Sequence, residues 1–295
     1  TINSLLALFA SLLAGLAPAF TLSPWSDLLD APPPQPQVIV CEAPVTNGAA
    51  PPSIHARAWA VYDPASRSFL AGHNEHLHAR PASLTKIVTA LVALESGDFG
   101  RRVVVDIDSR QHTRSSDVGI IPGQTTTLED LFVGMLTVSG NDAAREIALE
   151  VSGDEAVFAA EMNEMVRSLG LHDTHLVNSH GRDADLHYST AHDMAILAAA
   201  ALSHDRFRQV VGAPATTIEI DGAPMNLSTT NRFLRQYPGA TGVKTGFTSG
   251  AGPSLAASAV NDGRELVVVI LNDSGRFEDA GRLLDWAFAS HTWNC

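Results

Sequence analysis

Strand-forming segments stand near both ends of this sequence, and helix-forming segments lie between them. Alternating residues around a turn at Asp63-Pro64 predict a β-hairpin over residues 58–71. A second pair of strands is predicted over residues 254–271, on either side of the turn Asn261-Asp262-Gly263. The pattern predicts an α+β fold in which both ends of the chain share one antiparallel sheet and the helices form an inserted lobe. A site would then lie between the lobe and the sheet.

The middle of the chain has the hydrophobic period of helices. A helix is predicted from Asp154 to Gly170, because its apolar residues fall on one face and the glycine ends it. Thr190 and Asp193 form a capping box ahead of an alanine-rich run that ends at Ser203. The same signals predict helices over residues 83–94, 128–136, 142–151 and 276–288, and a hairpin over residues 216–228.

The charged residues restrict the partners of this chain. Its 295 residues include 32 acidic and 19 basic ones, a formal net charge of −13, and the longest basic run is Arg101-Arg102. Phosphate binding needs concentrated positive charge, so this composition argues against a nucleic-acid partner. Of the basic residues 17 are arginine, and only Lys86 and Lys244 are lysine. Lysine can lose its proton in a protein site and arginine cannot, which directs attention to these two positions.

Residues 1–22 are predicted to be a signal peptide or a membrane segment. No charge occurs from Ile2 to Leu22, and Ala17-Pro18-Ala19 has the small-residue pattern after which signal peptidases cleave. Residues 23–53 are rich in proline and predict an extended linker, so we expect the folded domain at residues 54–295. Export would place Cys41 and Cys295 in an oxidising compartment, where they either form a disulfide or remain two free thiols.

Ser83-Leu84-Thr85-Lys86 opens an apolar run and is predicted to start a buried helix. At a spacing of three, Ser83 and Lys86 project from the same helical face, one turn apart. Burial and the positive helix end lower the pKa of such a lysine, so it can act as the base that activates the serine hydroxyl. The alternative, a capping serine beside a solvated lysine, leaves the scarcity of lysine unexplained.

Two further motifs are candidates for the same site. Lys244-Thr245-Gly246 lies in glycine-rich surroundings, and a glycine in a strand indicates that something approaches the backbone closely, here a substrate along the strand edge. An ordinary glycine-rich turn is the alternative. Ser139-Gly140-Asn141 joins two predicted helices and taken alone is a loop with capping residues.

In combination, the order Ser-x-x-Lys, Ser-x-Asn and Lys-Thr-Gly is the motif set of penicillin-binding proteins and serine β-lactamases. The segment from Arg80 to Phe288 resembles the low-molecular-mass penicillin-binding proteins, specifically the serine-type D-alanyl-D-alanine carboxypeptidases. Flanking sequences that also match are Asp63-Pro64, Pro81-Ala82, Leu176 to Gly181, Tyr188 to Met194 and Gly242-Val243.

This resemblance implies a fold, a domain and a location. The fold would be β-lactamase/transpeptidase-like, an antiparallel sheet flanked by helices with an inserted all-helical lobe. Residues 54–295 would form a serine DD-peptidase catalytic domain that uses no cofactor and no metal. The enzyme would act in peptidoglycan biosynthesis, in the periplasm or on the extracellular face of the bacterial cytoplasmic membrane.

The resemblance also implies catalytic roles. Ser83 would attack the carbonyl of the penultimate D-alanine of a peptidoglycan stem peptide while Lys86 accepts its proton, and water would hydrolyse the acyl-enzyme. The backbone N–H groups of Ser83 and Phe247 would form an oxyanion hole, which stabilises the tetrahedral intermediate. Ser139 would relay protons to the leaving amine.

The substrate-binding residues implied by the resemblance are Asn141, Lys244, Thr245, Gly246 and Phe247. Asn141 would hold the substrate amide, and Lys244 with Thr245 would receive the terminal carboxylate. β-Lactams would inhibit the enzyme by acylating Ser83, because their carboxylate and strained amide would occupy the same positions.

Other functions remain open at this level. The chain ends about 50 residues after Lys244, without the β-rich domain and amphipathic helix of some carboxypeptidases, which also resembles the D-alanyl-D-alanine endopeptidases that cut cross-links. Phe247 stands where many relatives have histidine, so substrate preference is open. A penicillin-binding protein without turnover is a further alternative. A metal enzyme is disfavoured, because no His-Glu-x-x-His pattern joins His73, His76, His78, His172 and His175.

Overall fold

The computed structural model describes residues 41–111 and 115–294. The strands of this part are β1 (Val45–Thr46), β2 (Ala58–Asp63), β3 (Ser68–His73), β4 (Arg102–Val104), β5 (Thr125–Thr127), β6 (Ala215–Ile220), β7 (Ala223–Ser228), β8 (Ala240–Gly246), β9 (Ser254–Asn261), β10 (Arg264–Leu271) and β11 (His291–Thr292). The helices are α1 (Lys86–Glu95), α2 (Leu128–Thr137), α3 (Asn141–Ser152), α4 (Glu155–Ser168), α5 (Ala191–Leu202), α6 (Asp205–Gly212), α7 (Phe233–Gln236) and α8 (Arg276–Ser290).

A sheet of five antiparallel strands, in the order β3-β2-β10-β9-β8, joins the two ends of the chain. The N-terminal hairpin pairs with a C-terminal strand, so that Ala58 lies opposite Leu271 and Tyr62 lies opposite Val267. Strand β9 pairs with both β10 and β8. The α+β fold predicted from the sequence is confirmed, and its sheet is shared by segments from both ends of the chain.

Helices cover both faces of this sheet. In β10, Val267 and Val269 belong to the core on the side of the helical lobe, whereas Leu266 and Val268 belong to the core under α8. Successive side chains of a strand point to opposite faces, so a strand that is covered on both sides is apolar throughout. This explains the unbroken apolar run at residues 266–271.

Helix α1 connects the lobe to the sheet. Its residues from Lys86 to Ala93 are all buried, and it packs against α4 and α5. Helix α5 in turn lies on β2 and β10. A 3-10 turn at Ala82–Thr85 precedes α1 and contacts β8, the strand at one edge of the sheet. The fold therefore brings the start of a buried helix to a strand edge.

Three features differ from the sequence-based expectations. The helix predicted from Ser83 begins at Lys86, because the preceding residues form the 3-10 turn. Contacts of the domain begin before residue 54, since β1 pairs with β11 and Trp286 Nε1 donates to the carbonyl oxygen of Ala49 at 2.9 Å. Strands β4 and β5 and helices α6 and α7 have no predicted counterpart, because such short elements carry little periodicity.

Several expectations concern residues that the structure does not describe. The predicted signal or membrane segment, the linker up to residue 40 and Cys295 all lie outside the described residues. Cys41 takes part in a disulfide bond. Within residues 41–111 and 115–294, none of the helices has the length and apolar character needed to cross a bilayer.

Asp63 links the first hairpin to the residues after α8. Its fully buried carboxylate accepts hydrogen bonds from Ser66 Oγ at 2.7 Å and from Trp293 Nε1 at 2.8 Å. Arg264 Nη1 lies 3.6 Å from the same carboxylate, and the guanidinium of Arg264 lies over the Trp293 ring at 5.3 Å. Because a buried charge is tolerated only when it is paired and hydrogen-bonded, these contacts hold the two ends of the domain together.

We expect Asp63→Ala to lower the free energy of unfolding by about 3 to 5 kcal/mol, because it removes one partner of a buried ion pair. Asp285→Ala is the matched control: that carboxylate is exposed and accepts a hydrogen bond from Tyr237, so its loss is expected to cost less than about 1 kcal/mol. Urea unfolding followed by circular dichroism measures both values. Equal losses in the two variants would contradict the role given to Asp63.

Candidate active site

Ser83 lies on the 3-10 turn before α1, at the wall of a cleft with a volume of about 900 Å³. Its neighbours Leu84 and Thr85 are fully buried, whereas Ser83 itself is partly exposed. The turn is thus fixed to the core while the serine hydroxyl remains accessible from the cleft. A nucleophile needs this combination of rigid backbone and open side chain.

The three predicted motifs come together at this cleft. The residues from these motifs that line it are Ser83, Ser139, Asn141, Thr245, Gly246 and Phe247. Lys86 and Lys244 have buried side chains, 0% and 1% exposed, and each contacts a cleft serine. All eight candidate residues of the sequence analysis are therefore close to one cavity.

Lys86 is surrounded by acceptors. Its Nζ lies 3.1 Å from Ser83 Oγ, 2.6 Å from Asn141 Oδ1 and 2.5 Å from the carbonyl oxygen of His180. The amide and carbonyl oxygens only accept hydrogen bonds, so they take two N–H groups of Lys86. The remaining position of the nitrogen faces Ser83, and in the neutral amine it holds a lone pair. This arrangement can take the proton from the serine hydroxyl.

The surroundings of Lys86 favour that neutral amine. Burial, followed by the nearby charge of Lys244, lowers the pKa of Lys86 well below its usual range. Asp117 and Asp142 oppose this effect to a smaller extent. A lowered pKa increases the fraction of neutral amine, which is the form that a general base requires.

Lys244 extends from β8 to Ser139 on the lobe. Its Nζ donates to Ser139 Oγ at 2.8 Å and to the carbonyl oxygen of Thr245 at 3.1 Å. Burial lowers the pKa of Lys244 to about 7. Ser139 adopts a φ of 65°, a conformation that residues other than glycine seldom adopt. The hydroxyl of Ser139 is therefore joined to a group that carries a charge below about pH 7.

Asn141 has both ends of its side chain engaged by the protein. Its Oδ1 accepts from Lys86, and its Nδ2 donates to Ser115 Oγ at 2.7 Å. The resemblance implies that Asn141 holds a substrate amide, whereas in this structure Asn141 orients Lys86. A substrate amide would have to replace Ser115 as the partner of Nδ2.

The cleft contains polar residues that the sequence analysis did not select. Thr230 Oγ1 lies 2.9 Å from Thr245 Oγ1, and Arg276, the first residue of α8, lines the same cleft. Ser115 belongs to a loop before β5 that also reaches the cavity. These positions carried no local signal, because Thr230 and Ser115 lie in polar loops and Arg276 is one of 17 arginines.

Asp183 fastens the loop that follows β8. Its carboxylate accepts from Thr248 Oγ1 at 2.7 Å and from the backbone N–H of Gly250 at 3.1 Å. Arg80 Nη1, just before the 3-10 turn, lies 3.7 Å from the same carboxylate. One side chain thus joins three segments around the cleft, which fixes the backbone that follows the Lys-Thr-Gly motif.

The histidines considered as metal ligands are not among the residues that line the cleft. His78 Nε2 lies 3.0 Å from Asp173 Oδ1, and its ring stacks on Tyr188 at 4.3 Å. Across the described part of the chain, no group of three or more histidine, cysteine, aspartate or glutamate residues is arranged to hold a metal ion.

In this cleft a serine lies beside a buried lysine, and a second lysine on an edge strand contacts a serine of the helical lobe. This arrangement is typical of the active-site serine enzymes of the penicillin-binding fold. Residues 45–275 match the family of D-alanyl-D-alanine carboxypeptidases, Peptidase_S11. The chain belongs to this family and is a serine DD-peptidase.

Individual relatives agree with this assignment. The D-alanyl-D-alanine carboxypeptidase DacB2 of Mycobacterium tuberculosis is 34% identical over 242 residues, which cover 79% of this chain and 82% of the relative. DacF of Bacillus subtilis is 33% identical over 230 residues, 75% of this chain but only 59% of the longer relative. Both proteins carry the name of the family.

Solved structures show the same fold. A crystal structure of the D-alanyl-D-alanine carboxypeptidase from M. tuberculosis H37Rv superposes with a TM-score of 0.78 at 33% identity, covering 85% of this chain and 99% of that one. The Streptomyces K15 DD-transpeptidase superposes with a TM-score of 0.78 at 27% identity, covering 82% of this chain and all 100% of that one.

Proposed function

We propose that this enzyme removes the terminal D-alanine from peptidoglycan stem peptides through an acyl-enzyme on Ser83. The observation that carries the proposal is the environment of Lys86, whose Nζ has two obligate acceptors in Asn141 and His180 and faces Ser83 Oγ at 3.1 Å. A lysine with a purely structural role would not require a lowered pKa or a neighbouring serine that is accessible from a cleft.

The proposed reaction has two halves. Ser83 Oγ attacks the carbonyl carbon of the penultimate D-alanine while its proton passes to Lys86, and the resulting oxyanion is held by the backbone N–H groups of Ser83 and Phe247. The C–N bond then breaks, and the leaving amine of the terminal D-alanine receives, through Ser139, the proton that Lys86 had taken from Ser83, so Lys86 is neutral again. Water next attacks the ester and gives a proton to Lys86, which passes it to Ser83 Oγ as the ester C–O bond breaks.

The positively charged side chains at the cleft indicate how the substrate would bind. A stem peptide ends in a carboxylate, and Lys244, Thr245 and Arg276 supply two cations and a hydroxyl for it. The edge of β8 offers backbone groups along which an extended peptide can lie. A β-lactam carries a carboxylate and a strained amide, so we propose that it acylates Ser83 in the same pose.

The proposed site of action is outside the cytoplasmic membrane, where peptidoglycan lies. The uncharged, leucine-rich residues 2–22 support export, either as a cleaved signal or as a retained membrane segment. The periplasm and the extracellular face of the membrane are the two locations that fit this proposal.

The test is product analysis with the purified chain lacking residues 1–22. A synthetic stem pentapeptide and a purified cross-linked muropeptide are supplied separately, with Ser83→Ala as the blank, and free D-alanine and cleaved dimer are quantified. D-alanine from the pentapeptide supports the carboxypeptidase. Cleavage of the dimer alone would show that the enzyme is an endopeptidase. A penicillin adduct with no turnover of either substrate would show a penicillin-binding protein without peptidase activity.

The charge of Lys244 predicts a pH dependence. An ammonium with a pKa of about 7 is charged below that pH and neutral above it, so the attraction for a substrate carboxylate is present at low pH and lost as pH rises. We expect kcat/KM, which reports on the free enzyme, to fall as pH rises through about 7.

Lys244→Arg is the control for this dependence, because arginine keeps its charge throughout that range. Its kcat/KM profile should lack the fall near pH 7. A fall with the same midpoint in both enzymes would show that another group is responsible.

A further inference from the structure

Thr85 and His187 form a buried chain of hydrogen bonds that ends on the backbone next to Ser83. Thr85 Oγ1 donates to the carbonyl oxygen of Ala82 at 2.8 Å, and His187 Nε2 lies 2.9 Å from Thr85 Oγ1. At the other side of the ring, the backbone N–H of Val177 donates to His187 Nδ1 at 3.0 Å. Thr85 is fully buried, and His187 is 2% exposed.

The chemistry of these groups fixes the direction of the chain. A backbone N–H can only donate, so Nδ1 of His187 accepts and carries no proton. The proton of the neutral ring is therefore on Nε2, which donates to Thr85, and the single hydroxyl proton of Thr85 goes to Ala82. Burial, with a smaller contribution from His175, lowers the pKa of His187 to about 4, so the ring is neutral at physiological pH.

The carbonyl of Ala82 and the N–H of Ser83 belong to one planar peptide unit. In a trans peptide these two groups point in opposite directions, so fixing the carbonyl oxygen also fixes the direction of the N–H. That N–H is the donor assigned above to the oxyanion hole. The peptide needs fixing, because Ala82 has a φ of 49°, a conformation that a residue with a Cβ seldom adopts.

Gly181 shows how tightly this carbonyl is held. A Cβ on Gly181 would lie 1.9 Å from the carbonyl oxygen of Ala82 and 2.9 Å from Thr85 Oγ1. One segment of the chain therefore constrains the Ala82 carbonyl in two ways. Gly181 packs directly against its oxygen, and His187 holds the Thr85 hydroxyl that donates to it.

We infer that Thr85 and His187 are positioning residues that aim the Ser83 N–H into the oxyanion hole. The inference rests on the proposed function, in which Ser83 is the nucleophile. Neither side chain is among those that line the cleft, so both act through the peptide between Ala82 and Ser83. Their loss should slow bond formation at Ser83 without weakening the initial binding of substrate.

The test separates these two steps with a fluorescent penicillin, by measuring the pre-covalent dissociation constant and the acylation rate constant in stopped flow. Thr85→Val keeps the shape of the side chain and loses the hydroxyl. We expect its acylation rate constant to fall about 10²-fold, the lower end of the loss seen when an oxyanion-hole donor is removed, with the dissociation constant changed less than about threefold. The affinity for a boronic acid, which forms a tetrahedral adduct on serine, should fall in parallel.

Two conservative variants provide the rescue. Thr85→Ser keeps the hydroxyl and His187→Gln keeps a donor near the Nε2 position, so each should remain within about tenfold of wild type, while His187→Leu should behave as Thr85→Val. A purely structural role would lower the melting temperature without separating the acylation rate from the dissociation constant. An acylation rate in Thr85→Val within threefold of wild type, or equal losses in Thr85→Val and Thr85→Ser, would overturn the inference.

A measurement on the wild-type protein does not depend on how the variants fold. Nitrogen NMR of labelled histidine at pH 7 should place the proton of His187 on Nε2, and a proton on Nδ1 would overturn the inference. The proposed function has a separate failure, because wild-type protein that forms no penicillin adduct on Ser83 contradicts the nucleophile. An adduct on Ser83 together with an unaffected Thr85→Val contradicts only the positioning role.

Discussion

Ser83→Ala is expected to abolish the penicillin adduct and to lower D-alanine release by about 10⁴-fold or more, as removal of the nucleophile does in serine peptidases. The alanine methyl group occupies the space of the hydroxymethyl group in part, and the neighbours Leu84 and Thr85 keep the turn in the core. The variant should therefore fold and still bind substrate in the cleft without reacting.

Intact-mass analysis after incubation with excess penicillin measures the adduct, and a D-amino-acid oxidase assay measures D-alanine. Ser116→Ala is the matched control, because Ser116 also lines the cleft while its backbone carbonyl, which the substitution keeps, accepts from Asn141. That control should stay within a few-fold of wild type. A stoichiometric adduct on Ser83→Ala would place the nucleophile at another residue.

The parts of the fold that could be predicted from the sequence are those in which a local pattern and a tertiary role coincide. Strand-forming residues at 58–71 and 254–271 flank clear turns, and the helix after Thr190 begins at that capping residue, whose Oγ1 accepts from the N–H of Asp193 at 3.0 Å. The short pair β4 and β5 was not predictable, because three residues define no period and each strand pairs with a segment beyond the intervening loop.

The candidate site likewise has parts that could be predicted from the sequence and parts that could not. Lys86 and Lys244 were evident because a chain with 17 arginines keeps lysine at only these two positions. The 3-10 turn under Ser83 was not, because Ser-x-x-Lys suits a helix equally well and the turn depends on the close approach of Gly181, about 100 residues away in the chain. Long-range contacts of this kind leave no local trace in a single sequence.

The hydrogen bonds of the Asn141 side chain are a second example of long-range contacts that could not be predicted from the sequence. As a sequence motif, Ser139-Gly140-Asn141 indicates a loop with a helix cap, and Asn141 does begin α3. Its side chain nevertheless turns to Lys86 and Ser115. Both partners are distant in the sequence, and Lys86 comes within reach because α3 packs against α1.

Replacement by arginine should slow acylation strongly at Lys86 and only slightly at Lys244. Lys86→Arg is expected to lower the rate of Ser83 acylation by about 10²-fold to 10⁴-fold, because a guanidinium cannot accept the serine proton and a general base contributes a factor of this size. Lys244→Arg should stay within about tenfold at pH 6, because the proposed role of Lys244 needs positive charge and arginine supplies it.

The second-order rate constant for acylation by fluorescent penicillin compares the two variants directly. Lys86 is fully buried, so the larger and permanently charged arginine could prevent the variant from folding. Lys86→Met is therefore a second variant, because methionine has a similar length and no charge. It should lose the base to the same extent as Lys86→Arg. If either Lys86 variant retained acylation within tenfold of wild type, the proton of Ser83 would have to leave by another route, and Ser139, which is hydrogen-bonded to Lys244, would be the next candidate to test.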